Sequence, residues 1–206
     1  MKVLSHRGWW KDPQERNSKQ AFVRSFEAGF GTETDVRDIC GKLVISHDMP
    51  SGNEITFEDV MKIMAGRNLP LAINIKADGL IKPLLELLHK YGHTNYFTFD
   101  MSIPDLVVQL SYKANVYTGL SDILSKPVLL EKCNGVWLDA FFSEWYDSKI
   151  ICELIDSGKD VCIVSSDLHK RDPLPQWKML AQCPYVTSDR SMLCTDLPDE
   201  AKGFFG

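Results

Sequence analysis

The sequence predicts an α/β protein: a compact (β/α)8 TIM barrel of parallel strands, with no insertion domain, filling residues 1–206 as a single domain. Three observations predict it. Short apolar runs with strand character alternate with amphipathic helical segments seven or eight times along the chain. The links between them are short, which suits parallel strands joined by crossover helices. No linker, repeat or low-complexity segment interrupts the alternation. The competing architecture is an open doubly wound sheet, but no glycine-rich phosphate loop follows the first apolar run.

The elements follow in order. Val3 to His6 is a short apolar strand. In "SKQAFVRSFEAGF", Ala21, Phe22 and Phe26 recur at helical spacing, with Asn17 or Ser18 as the cap. "TETDVRD" and "KLVISHD" read as two extended segments joined by a turn at Cys40-Gly41. Thr56, with Asp59 three residues on, forms a capping box that starts a helix through "TFEDVMKIMAG". "LPLAINIK" is a strand and "LIKPLLELLHKYG" a helix, where Pro83 is tolerated only near the start. The cycle repeats with "NYFTFD", "SIPDLVVQLSYK" and "NVYTGL", then a weak helix near Val128 to Lys132. "GVWLDAF", "DSKIICELIDSG", "DVCIVSS" and "PQWKMLAQ" continue it. The last strand falls in "YVTSDRSMLCTDLP", at Tyr185-Val186 or at Met192 to Cys194.

Composition narrows the class of function. A net charge of −5 argues against a broad nucleic-acid surface while leaving room for a local basic pocket. No apolar run has membrane-spanning length, so no membrane insertion is expected. With Met1 as the start, "SHRG" stands where a secretory leader would lie, which predicts a cytoplasmic protein. The six cysteines show no CxxC pairing and read as reduced, mostly buried thiols.

The polar residues at the strand ends carry the chemistry. The first strand ends in His6-Arg7. Glu33 and Asp35 are two residues apart on a strand, so both carboxylates face one way. His47 ends the next extended segment, and Asn74 and Lys76 share a face further on. Alone, each has an ordinary explanation: a satisfied strand-end histidine, a solvated acidic face, a lysine whose stem lies along apolar surface. Together they point to metal-assisted phosphoryl chemistry. Two converging carboxylates need a cation, and oxygen ligands favour Mg²⁺ or Ca²⁺. Two histidines provide an acid/base pair near neutral pH, and Arg7 and Lys76 suit a phosphate.

In order and spacing, "HRG", "RNSKQAF", "ETDVR" and "KLVISHD" resemble the glycerophosphodiester phosphodiesterase family, whose pattern is HRG, ENT-x-x-AF, E-x-D and V-x-x-HD. These motifs fill the first quarter of the chain; "ITFEDVMKI", "INIK" and "TDLP" match more loosely. The resemblance implies the same barrel, with His6 and His47 as general base and acid. It implies Glu33 and Asp35 as ligands of one divalent cation, and Arg7 and Lys76 on the phosphate oxygens. Three departures stand out. Asn74 replaces the glutamate that ligates metal in the family, leaving a neutral amide oxygen. Only residues 49–70 separate the HD motif from the next strand, so the family's usual inserted cap is missing. The seventh barrel strand ends in "VSSDLHKRD" instead of a Trp-Thr motif, bringing Asp167, His169, Lys170 and Arg171 into view as a solvated loop or, for His169 above all, a substrate contact.

The expected activity is divalent-metal-dependent phosphodiester hydrolysis on a small-molecule diester. The alternatives are a catalytically weak barrel that binds a phosphorylated ligand, and a lyase-like relative that forms a cyclic phosphate. Lesser candidates are Trp9 and Trp10, as a choline-type cage or ordinary loop packing, and Asp100 and Asp139, each facing a pocket or capping a helix. His89 and His93 are expected at the surface.

Overall fold

The computed structural model describes residues 1–206. It is a nearly closed barrel of eight parallel strands alternating with helices. The strands run in the order β5-β4-β2-β1-β9-β8-β7-β6, and an extra strand, β3, pairs with β2 outside that path. A parallel bridge between Thr98 and Val116 links β5 to the residue before β6. The doubly wound alternative is thereby excluded. No helix is long and apolar enough to cross a membrane. The chain forms two compact units, Ser5–Val116 and Met1–Leu4 with Tyr117–Gly206.

β1 (Lys2–His6), whose last two residues open the unit Ser5–Val116, leads into helix α1 (Lys19–Glu27), whose N-terminus is capped by the Ser18 hydroxyl. Ala21, Phe22 and Phe26 are its buried face. β2 (Gly31–Ile39) and β3 (Lys42–Ile45) form an antiparallel hairpin pairing Val36 with Ile45 and Ile39 with Lys42. Its turn residues, Cys40 and Gly41, both have left-handed φ, as a two-residue hairpin turn requires. α2 (Phe57–Met64) starts at the capping box of Thr56 and Asp59, both halves of which are formed. β4 (Leu71–Ile75) is buried at every position, between β2 and β5 (Tyr96–Phe99). α3 (Ile81–Lys90) carries Pro83 in its first turn, where no intrahelical N–H is lost.

α4 (Ile103–Ser111) turns its polar residues inward. Asp105 accepts from the Gly79 N–H at 3.0 Å and from Gln109 Nε2 at 2.7 Å, and Gln109 Oε1 takes the Thr98 hydroxyl at 2.6 Å. Ile103, Val107 and Tyr112 are left exposed.

In the other unit, β6 (Tyr117–Leu120), β7 (Gly135–Leu138), β8 (Asp160–Val164) and β9 (Ser191–Thr195) pair in parallel. The last strand is therefore the Met192 to Cys194 segment, and the weak helix near 128–132 is a single 3-10 turn at Leu130–Lys132. α5 (Ser148–Asp156) and α6 (Leu174–Ala181) bury Ile151, Ile155, Trp177 and Leu180 against Val136, Val161 and Ile163. A terminal helix, α7 (Pro198–Phe205), was not foreseen in the sequence; Phe204 and Phe205 pack on Trp177 at ring separations of 5.6 and 5.8 Å. All six cysteines are free thiols.

One local reading is corrected. His93 is buried, not at the surface, and its ring packs beside the Asn95 carbonyl at 3.2 Å; burial lowers its pKa. His89 is exposed. Trp9 and Trp10 serve loop packing. Trp9 stands edge-on to Phe30 at 5.5 Å, and Trp10 Nε1 donates to the His6 carbonyl at 3.1 Å.

The glycine of "SHRG" has a steric reason. Gly8 has φ +81°, and a Cβ there would lie 2.8 Å from Ala21 Cβ and 2.9 Å from the Ala21 backbone carbon. Gly8→Ala combines left-handed strain with a clash against α1, so it should cost about 3 kcal/mol. Chemical denaturation checks this, and a loss below about 0.5 kcal/mol would show that the turn tolerates a side chain.

Candidate functional site

The site lies in the unit Ser5–Val116, at the C-terminal ends of β1 and β4, within β2 and just beyond β3. Strand alternation explains its core. Glu33 and Asp35 share one face of β2 and are buried, at 2% and 0% exposure. Across the ladder Asp35 is the register partner of Asn74 on β4. Arg7 continues β1 with a left-handed φ of 60°, held by its N–H donating to the Glu33 carbonyl at 2.9 Å. That bend turns Arg7 toward β2, where its Nε stands 2.9 Å from Asp35 Oδ2. Lys76, just past β4, places Nζ 3.3 Å from Asp35 Oδ1. Asp35 thus sits between two cations.

His6 Nε2 lies 3.8 Å from Glu33 Oε2. Glu33 titrates well above the ordinary carboxylate range, first because burial penalises its charge and second because Asp35 is beside it. His47 follows Ser46, whose N–H donates to the Asp35 carbonyl at 3.1 Å. Its side chain is about half exposed, and Nδ1 meets Asp48 Oδ1 at 2.9 Å. His47 and Arg7 both line a cleft of about 410 Å³, together with Asn17, Asp48 and Glu54. Glu54 accepts from the backbone N–H groups of Ser51 and Gly52, and these bonds hold its carboxyl down to about 2.

Three residues joined to this constellation were not assigned to it from the sequence. Asn17, considered only as a cap, has φ 58° and donates Nδ2 to Asp35 Oδ2 at 2.9 Å while accepting the Thr34 hydroxyl at 2.9 Å. Its place inside "RNSKQAF" was the available signal. Asp48 follows His47 and holds its ring. Asp100, directly after β5, accepts from the buried Asn74 Nδ2 at 3.1 Å, and the cap of the following helix is Ser102.

The donor set can be tested against a divalent cation. Glu33 Oε2, Asp35 Oδ1 and Asn74 Oδ1 are all buried without a hydrogen-bond partner. Asp35 Oδ1 faces Lys76 Nζ at 3.3 Å and Glu33 Oε2 faces His6 Nε2 at 3.8 Å, whereas Asn74 Oδ1, if left unmet, costs about 1–3 kcal/mol. An all-oxygen set of two carboxylates and an amide suits Mg²⁺ or Ca²⁺ better than a softer metal. No group of three or more His, Cys, Asp and Glu side chains is placed to hold a metal; the oxygen set here combines two carboxylates with an amide. The residues present fit the hard cation.

His169 belongs to the other unit. Its Nε2 meets Asp139 Oδ1 at 2.7 Å, and Phe141 packs on its ring at 5.1 Å. Asp139 Oδ1 also accepts the Ala140 N–H, so this aspartate orients a histidine and caps no helix. The neighbouring loop is largely tied down. Asp167 accepts the Thr195 hydroxyl at 3.0 Å and the Asp196 N–H at 2.7 Å, and Arg171 donates to the Ala140 carbonyl. Lys170 alone of the four is exposed.

No protein-family model and no curated protein matches the sequence. Solved structures do match its fold. A glycerophosphodiester phosphodiesterase from Agrobacterium tumefaciens str. C58 superposes with a TM-score of 0.72 at 16% identity, covering 99% of this chain and 98% of its own. An Oleispira antarctica phosphodiesterase, solved in complex with the product sn-glycerol-3-phosphate, gives 0.69 at 15% identity, covering 99% and 96%. The chain therefore shares, over nearly its whole length, the barrel fold of two phosphodiesterases.

Proposed function

We propose that this protein hydrolyses small phosphodiesters with one divalent cation, Mg²⁺ or Ca²⁺, held by Glu33, Asp35 and Asn74. The observation that carries the reading is the set of three buried oxygens without a hydrogen bond beside two strand-end cations, Arg7 and Lys76. The fold shared with two phosphodiesterases supports it. When bound, the cation supplies Lewis-acid polarisation of a phosphoryl oxygen.

The remaining work falls to the chain. Arg7 and Lys76, now paired with Asp35, offer charge-assisted hydrogen bonds to the non-bridging phosphate oxygens. One of His6 and His47 takes the proton of the attacking hydroxyl, from water or from the substrate itself, as the oxygen–phosphorus bond forms. The other protonates the departing alkoxide. Asp48 accepts the Nδ1 proton of His47, which leaves Nε2 for proton transfer and stabilises the charged ring. Attack by water gives a phosphomonoester; attack by a neighbouring substrate hydroxyl gives a cyclic phosphate.

The neutral Asn74 favours a second reading, a barrel that binds phosphorylated ligands with little turnover. One assay separates the two: hydrolysis of bis-p-nitrophenyl phosphate after chelation and metal return. The enzyme reading expects activity lost with chelator and restored by Mg²⁺ or Ca²⁺. Binding of inorganic phosphate without turnover under either condition would favour the ligand-binding barrel.

A further inference from the structure

Asn74 poses a problem that the carboxylates do not. A carboxylate presents oxygen either way round, whereas an amide presents oxygen at one end and NH₂ at the other. Only the oxygen can hold a cation, so something must fix the amide. Asn74 is clamped in the sheet, paired in register with Asp35 on one side and Phe99 on the other. Asp100 comes directly after Phe99, and its Oδ2 accepts from Asn74 Nδ2 at 3.1 Å. Asn74 Oδ1 is the end left buried without a partner. Turning the amide over would set oxygen against the Asp100 carboxylate and lose a charge-assisted bond. Asp100 also has a left-handed φ of 61°, an unfavourable conformation for a residue with a side chain, and one that aspartate tolerates better than most. Its charge is felt within the site, where it is one of the influences that raise the Glu33 pKa.

We propose that Asp100 is a positioning residue: it locks the Asn74 amide with its oxygen available to a cation beside Glu33 and Asp35, and it returns from the end of β5 the negative charge that a neutral residue at position 74 lacks. The inference rests on the metal reading of the site. It concerns the pairing of a neutral amide with an acidic neighbour on the adjacent strand.

The test is calorimetric titration of the full chain with Mg²⁺ alone and with Ca²⁺ alone, alongside metal-free thermal melts. Asp100→Asn should weaken cation affinity by about tenfold or more, the usual scale for losing the partner that orients a ligand. Its metal-free melting temperature should change little, because Asp100 is exposed. The reciprocal swap, Asn74→Asp with Asp100→Asn, should restore affinity to the wild-type level or better. There the amide at position 100 donates to a carboxylate at position 74, so hydrogen bond and charge are both kept. Wild-type binding left unchanged by Asp100→Asn would overturn the role of Asp100 alone, as would a swap that binds no better than Asp100→Asn. A wild-type chain that binds neither cation would overturn the metal reading, and this inference with it.

Discussion

Asp35→Asn is expected to abolish turnover and to destabilise the fold together. Asp35 is fully buried between Arg7 at 2.9 Å and Lys76 at 3.3 Å, and it also accepts from Asn17. The isosteric amide keeps the shape but removes the one charge that both cations face. Breaking a buried pair on one side leaves uncompensated charge and costs about 3–5 kcal/mol. Arg7 and Lys76 are each about one-fifth exposed, so the lower end, about 3 kcal/mol, is expected in denaturant titrations. Cation binding should fall below detection, since a charged ligand is lost. Unchanged stability with unchanged cation affinity would mean that Asp35 is only a structural acid.

His47→Ala and His6→Ala should each lower kcat by about a hundredfold or more, the range for a missing acid or base. Neither should abolish cation binding, because the three buried oxygens without a hydrogen bond belong to Glu33, Asp35 and Asn74. The double variant should be little worse than either single one if the two act in one proton-transfer cycle. Steady-state kinetics and a cation titration on the same samples separate this from a general loss of the site. A His47→Ala variant with near-normal kcat would remove the two-histidine mechanism.

Much of the scaffold was legible because the local signals are strong. The capping box at Thr56, the turn at Cys40-Gly41 and the alternation of Glu33 and Asp35 depend on neighbours in sequence, and each forms as read. What failed depends on distant partners. α4 was legible as a helix, but its buried face is set by Thr98 and Gly79, which draw Gln109 and Asp105 inward and leave Ile103 and Val107 outside. α7 is held by Trp177, some twenty residues earlier, and its own sequence gave no equally strong start.

The candidate site divides in the same way. Arg7, Asp35 and Lys76 come together as strand-end arithmetic implies, and His6 lies near Glu33. The residues that orient them were not assigned that part: Asn17 was read as a cap and Asp100 as facing a pocket or capping a helix. Asn17 meets Asp35 only because the chain after Gly8 folds back, its N–H reaching the Arg7 carbonyl. Asp100 meets Asn74 only because β5 lies beside β4. Neither meeting is encoded in spacing along the chain.

Metal-dependent cleavage of a phosphodiester can be followed at the phosphorus atom itself by NMR. A panel of diesters, including glycerophosphocholine and bulkier nucleotide- or sugar-linked diesters, is incubated with the wild-type chain, with and without Mg²⁺ or Ca²⁺. The diester resonance of at least one compound should give way to a phosphomonoester or cyclic-phosphate resonance when the cation is present, and persist when chelator removes it. Diester resonances that stay unchanged with the cation, across the panel and with calorimetric proof that the cation is bound, would contradict metal-dependent cleavage.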